Sequence, residues 1–137
     1  MKKISVACII VDDANRVLIA HRNQTGQMGG RWEFPGGKVE DGELPEAAIV
    51  REMQEEFGVR VRVGARIGET VFTHNAQDVQ LIAYEVFLLP GEKEKKWTLS
   101  EHTEINWVAC DAVPLRSFVD SDLLLYPQVK QFLDAKR

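Results

Sequence analysis

At 137 residues, 45% of them hydrophobic and 28% charged, the chain is sized and balanced for one globular domain, 1–137, with a real core. A net charge of −4 excludes a protein that grips long nucleic acid by its phosphates, which demands a basic surface, but leaves small phosphorylated substrates open. No run is long and apolar enough to cross a membrane, and the short one after Met1-Lys2-Lys3 holds Ser5 and ends at Asp12-Asp13, so no secretory signal is expected and the cytoplasm is the expected compartment.

In chain order, Ile4 to Val11 reads as a buried strand, Asp12-Asp13-Ala14-Asn15 as a turn, and Arg16 to Arg22 as a second strand, together a hairpin. Asn23 to Gly30 is a polar loop. Trp32 to Phe34 is a short extended stretch that Pro35-Gly36-Gly37 stops. A helix is expected over Pro45 to Phe57, because proline suits the first helical position and Gly58 the residue past the end. Ala47, Val50, Met53 and Phe57 recur at helical spacing and are expected to face the core. Leu44 is a poor cap; Glu46 in the first turn compensates in part through the helix dipole. Val59 to Val71 reads as two or more strand pieces broken by Gly64 and Gly68, and Val79 to Leu89 as a long strand. Pro90-Gly91 to Lys96 reads as a charged, solvated turn. Ile105 to Ala109 is another strand, Asp111 to Ser117 a short helix, and Leu123 to Lys136 a terminal helix broken near Pro127. Strands and helices mix without strict alternation, which points to an α/β fold, a mixed sheet covered by helices on both sides. Cys8 and Cys110 stand far apart in apolar surroundings and read as buried, reduced thiols.

The chemistry concentrates between Gly36 and Val59. Glu52, Glu55 and Glu56 stand at i, i+3 and i+4, which puts three carboxylates on one helix face. Such a face is either simply solvated or the seat of a hard cation, magnesium or manganese, shared with substrate phosphates. Pro35-Gly36-Gly37 lets the backbone turn sharply beside the helix, where a carbonyl could ligate metal. Lys38 is placed to counter phosphate charge, Glu43 precedes the helix, and Arg51 can orient the carboxylates.

The stretch GKVEDGELPEAAIVREMQEEFGV, Gly37 to Val59, resembles the Nudix box at every fixed position: Gly37, Glu43, Arg51, Glu52, Met53, Glu55, Glu56, Gly58 and Val59. That resemblance implies an α/β/α sandwich and a divalent-metal hydrolase. It also implies that Glu52, Glu55 and Glu56 bind metal with the Gly36 carbonyl, supported by Arg51 and Glu43. LIAHR (Leu18 to Arg22), WEFPGGKVE (Trp32 to Glu40) and EHTEINW (Glu101 to Trp107) are similar to the MutT and CTP pyrophosphohydrolase group of that family. The similarity implies that Arg22 reaches the phosphates and that Glu101 is a metal ligand and candidate general base.

By the same similarity Asp122 falls at the base-reading position. An ionised aspartate only accepts hydrogen bonds and suits the cytosine amino group, whereas an asparagine, or a protonated aspartate, both donates and accepts as a guanine-type edge requires. Asp122, Ser121 or Asp120 also reads as the N-cap of the last helix. Phe34 is expected to line the base pocket, and Phe72 or His74 to stack on the base or simply pack. The expected activity is magnesium-dependent cleavage of a nucleoside triphosphate, CTP-like or dCTP-like, to monophosphate and pyrophosphate. The alternatives are an 8-oxo-dGTP hydrolase, a dinucleotide or nucleotide-sugar hydrolase, and a non-catalytic nucleotide sensor. The expected partner is the small-molecule triphosphate, and the sequence does not choose between monomer and dimer.

Overall fold

Successive residues of β1 (Lys3–Ile9) and its continuation point to opposite sides, and both sides are buried. Val6, Cys8 and Ile10 enter one core; Ala7 and Ile9 enter another. The alternation repeats in β2 (Arg16–Arg22), where Leu18 and Ala20 join the first core and Val17 and Ile19 the second. In β6 (Gln77–Leu88), Ile82, Tyr84 and Val86 join the first, Leu81 and Ala83 the second. Strands buried on both faces need a covering layer on each side. Helix α1 (Pro45–Phe57) closes the first core and α2 (Asp120–Ala135) the second, giving the expected α/β/α sandwich. This computed structural model describes residues 3–24 and 29–136. The opening Met1-Lys2, residues 25–28 of the expected Asn23–Gly30 loop, and residue 137 lie outside them.

The strands form two sheets. One is mixed, in the order β4-β1-β6-β5, with β4 (Gly36–Lys38) antiparallel and β6 parallel to β1, and β5 (Val61–His74) antiparallel to β6. The other is antiparallel, in the order β3-β2-β7, with β3 (Trp32–Glu33) and β7 (His102–Ala109) flanking β2. A 3-10 helix, Cys110–Leu115, leads toward α2.

Several expectations need correction. The hairpin of the first two strands exists only at its turn, in the Val11–Val17 bridge and the 2.9 Å bond from the Leu18 amide to the Ile10 carbonyl. Beyond it the strands part into different sheets, because β1 has β4 and β6 as partners and β2 has β3 and β7. Gly36-Gly37 does not merely stop a strand: it forms β4, where a Cβ on Gly36 would collide with the Val6 carbonyl. The 61–74 segment is one strand, with register shifts near Gly64 and Gly68 in place of breaks. Gly68 admits α2, whose Gln128 side chain accepts from the Glu69 amide at 3.1 Å and donates to its carbonyl at 2.9 Å.

On α1, Met53 and Phe57 face the core as expected, but Ala47 and Val50 are exposed, and Ala48 and Ile49 take their place. The inward side is turned because part of it carries Glu52 and Glu56, which an apolar spacing rule does not count. The 90–96 turn is not simply solvated. Glu92 is buried and accepts from the Arg60 amide at 2.7 Å and from Lys95 at 2.9 Å, while Trp97 Nε1 donates to the Glu92 carbonyl at 2.8 Å. Helix α2 starts three residues earlier than expected and continues through Pro127, which is exposed, so the bond it removes is given up away from the Leu125, Val129 and Leu133 stripe. Both cysteines are buried free thiols, and among the described residues no helix is long and apolar enough to cross a membrane.

The two-residue turn joining β5 to β6 sets Asn75 at φ 51° and Ala76 at φ 61°. A left-handed pair suits the twist of a hairpin, but alanine pays a steric cost there that glycine does not. Ala76→Gly is therefore expected to stabilise the protein by about 1 kcal/mol, read as a higher denaturant midpoint at unchanged slope.

Candidate active site

Helix α1 ends in a left-handed Gly58 (φ 69°), whose amide bonds to the Gln54 carbonyl at 3.0 Å, and the next amide, Val59, reaches back to the Met53 carbonyl. The carbonyls of Glu56 and Phe57 are closed from outside the helix, by the Ser100 amide at 3.2 Å and the Thr98 amide at 3.1 Å. The 98–101 segment is thus fastened to the end of the helix that carries the glutamates. On the other side, β4 runs against the helix. A Cβ on Gly37 would strike the Glu52 carboxyl, so this glycine is the space in which Glu52 lies.

Arg51 ties the loop to the helix. Its Nε and Nη2 donate to the two oxygens of Glu43 at 2.8 and 2.9 Å, a bidentate pair, and Nη2 also donates to the Lys38 carbonyl at 3.0 Å. Nη1 donates to Glu52 at 2.9 Å and to Glu55 at 3.3 Å. Glu43 in turn accepts from the Glu40 amide at 3.0 Å. The Arg51 bond, then the Glu40 amide, hold the Glu43 carboxyl down to about 2, and the surrounding carboxylates hold Arg51 firmly protonated.

Glu56 lies deeper. Burial first, then a hydrogen bond and charge from Glu52, then the charges of Glu33 and Glu101, push its carboxyl up to about 9. At neutral pH it keeps a proton unless a cation lies beside it. Among the described residues no three Asp, Glu, His or Cys side chains are arranged to hold a metal ion as they stand, since Glu52 and Glu55 each turn an oxygen onto Arg51. The donor chemistry nonetheless fits a hard dication: carboxylates crowd together, and burial with the repulsion of Glu52, Glu33 and Glu101 raises the Glu56 carboxyl above its usual range.

The structure brings Glu52, Glu56 and Glu101 together electrostatically, with Glu55 exposed beside them on Arg51 and Gly36 on the adjacent strand. The Lys38 side chain is exposed at the end of β4. Arg22 closes β2 and donates to Glu33 at 3.1 Å. The Phe34 ring is buried in the second core, edge-on to Phe118 at 5.1 Å. What Phe34 offers is its amide, which donates to Asp122 Oδ2 at 2.8 Å. Asp122 is not the cap of α2, since Val119 occupies that position with no side-chain cap bond. It is buried in the first turn, where burial and the Glu33 charge push its carboxyl up to about 8 against the opposing pull of the Phe34 amide and Arg22. Phe72 packs against the second core, and His74 lies exposed at the β5–β6 turn.

Two residues of this site escaped the sequence reading. Glu33 joins Arg22 to His102, accepting from Arg22 on one oxygen and meeting His102 Nε2 at 2.7 Å on the other. Both lie inside stretches already singled out, but nothing in their spacing marks two residues 69 positions apart as partners.

The family described as NUDIX domain matches residues 1–129. The 8-oxo-dGTP diphosphatase of Proteus vulgaris is 54% identical over 61 residues, 44% of this chain and 54% of that protein. The CTP pyrophosphohydrolase of Escherichia coli (strain K12) is 39% identical over 77 residues, 56% of this chain and 54% of that protein. The chain thus spans about half the length of these two curated relatives. The solution structure of the E. coli ORF135 protein superposes with a TM-score of 0.81 at 28% identity, covering 100% of this chain and 94% of that one.

Because Glu43 sits at about 2 against an ordinary 4.5, the stability it contributes is fully present above about 4.5 and is lost as pH falls toward 2. Glu43→Gln is expected to be less stable than the parent at neutral pH. The gap should close on acidification from pH ~5 to ~2, followed by denaturant midpoints across that range.

Proposed function

The chain belongs to the NUDIX family, and we propose that it is a magnesium-dependent hydrolase, manganese being the alternative ion, that converts a nucleoside triphosphate to its monophosphate and pyrophosphate. The observation that carries this reading is the gathering of carboxylates along α1, where Arg51 bonds Glu43, Glu52 and Glu55, and where burial together with Glu52, Glu33 and Glu101 pushes the Glu56 carboxyl up to about 9. The named relatives, an 8-oxo-dGTP diphosphatase and a CTP pyrophosphohydrolase, support it.

In this reading Glu52, Glu55, Glu56 and Glu101 hold the metal with the Gly36 carbonyl. Arg51 and Glu43 set the angle of the helix carboxylates through the bidentate pair. The ion, when bound, supplies neutralisation of charge on the phosphates and a more acidic water. Glu101 removes the proton from the water that attacks the β-phosphorus, with Glu56 the other candidate. Lys38 and Arg22 hold the phosphates, and the single domain carries the whole site.

The base is read by Asp122 beside the Phe34 amide. An ionised Asp122 accepts only and suits the cytosine amino group, the substrate suggested by sequence. Held at about 8, however, it carries its proton at neutral pH and presents a donor as well. A donor there also suits the second reading, an oxidised guanine triphosphate.

The test is release of pyrophosphate with magnesium across a panel of canonical and oxidised triphosphates in water labelled with heavy oxygen. Label is expected in the pyrophosphate; label in the monophosphate rejects attack at the β-phosphorus, and binding without turnover replaces the enzyme with a sensor. Glu56→Gln is expected to lower kcat at least about 100-fold while leaving the fold intact by circular dichroism. A second expectation concerns pH. As Asp122 ionises, the ratio of kcat/KM for 8-oxo-dGTP over CTP should fall as pH rises through about 8, and Asp122→Asn should remove that dependence.

A further inference from the structure

His102 is nearly sealed from solvent, with 2% of its side chain exposed. Its ring lies almost parallel to that of Phe57, the last residue of α1, with centroids 5.1 Å apart and planes 20° apart. The register explains how it gets there. His21 pairs with Glu104, and the next pair is Arg22 with His102, so Thr103 is the extra residue of a bulge. Without the bulge Thr103 would stand opposite Arg22; with it, His102 does. Ala20 pairs with Glu33 on the other side of β2, which sets Glu33, Arg22 and His102 side by side across the three strands.

The contacts form a chain. His102 Nε2 lies 2.7 Å from Glu33 Oε2, and Glu33 Oε1 accepts from Arg22 Nη1 at 3.1 Å. A carboxylate only accepts, so the ring nitrogen facing it carries the hydrogen. Nδ1 has no partner among the described residues and is buried. A ring kept only for packing would do better as an apolar one, which buries no orphan nitrogen.

Resting on the reading above, we propose that His102 is a positioning residue for phosphate binding: its imidazole fixes the Glu33 carboxylate, and Glu33 fixes the Arg22 guanidinium toward the substrate. Arg22 is a long side chain at the end of a strand, and an arginine held in advance gives up less freedom when it meets phosphate. Because His102 is packed on Phe57 and follows Glu101 in the chain, the same ring ties the arginine's geometry to the helix that carries the glutamates.

The experiment uses the full chain and two variants. His102→Phe keeps an aromatic ring for Phe57 but has no donor; His102→Gln places an N–H near the position of Nε2. With magnesium and the best triphosphate from the panel, His102→Phe is expected to raise KM about tenfold, with kcat within about threefold of the parent, and His102→Gln to restore most of the loss. Nitrogen-15 NMR supplies the readout independent of turnover. In the parent, His102 should carry its hydrogen on Nε2 and Arg22 should give a distinct, restrained guanidinium signal, which His102→Phe averages out. Three results overturn the proposal: a parent ring with its hydrogen on Nδ1 alone, an unchanged Arg22 signal and KM in His102→Phe, or a His102→Gln variant as defective as His102→Phe. If the parent hydrolyses no triphosphate, the functional reading fails by itself, and the NMR comparison still decides whether His102 positions Arg22.

Discussion

The guanidinium of Arg51 has to satisfy carboxylates and a carbonyl on two segments at once, and the rest of the site is arranged around that demand. Five hydrogen bonds leave it, three to the loop at Lys38 and Glu43 and two to Glu52 and Glu55 of its own helix. Acidic groups gathered this closely repel one another, and one delocalised cation with donors in a planar fork is suited to hold them without neutralising them all. Glu56, which does not share that cation, shows the remaining imbalance. The glycines serve the same end, since the space beside Gly37 is where Glu52 lies and the space beside Gly36 is taken by the Val6 carbonyl.

What could be read from the chain follows from the range of each interaction. The α1 segment was legible because proline, glycine and the carboxylate spacing are all local, and its bounds agree with the structure. The choice of Ala47 and Val50 as inward residues failed because the inward face is partly acidic, and apolar periodicity cannot register a glutamate turned toward the interior. Gly64 and Gly68 signalled trouble in a strand correctly but not its form, since a bulge that receives Gln128 depends on a helix 59 residues away. The parting of β1 and β2 was illegible for the same reason: β6, which pairs in parallel with β1, lies far along the chain.

Within the site, box residues were legible from spacing, while Glu33 and His102 were not. Their link is made by strand register and a single bulged residue, and one-dimensional spacing carries neither. Asp122 lies between these cases. Its position could be counted along the chain, but its burial and its bond to the Phe34 amide belong to the packing of α2 against the sheet. The charged 90–96 turn misled in the opposite direction, because a buried glutamate paired with Arg60 and Lys95 has the same composition as a solvated one.

Helix α2 meets β5 through Gln128, which clasps both backbone groups of Glu69. That clasp sits on the same helix as Asp122, less than two turns further along, and on a segment separate in sequence from α1 and its glutamates. In the proposed reading, recognition of the base and scission of the phosphate chain therefore reside in different cassettes of one domain. A lineage of such proteins can retune which nucleobase it accepts by redrafting its last helix, while the hydrolytic half is inherited whole.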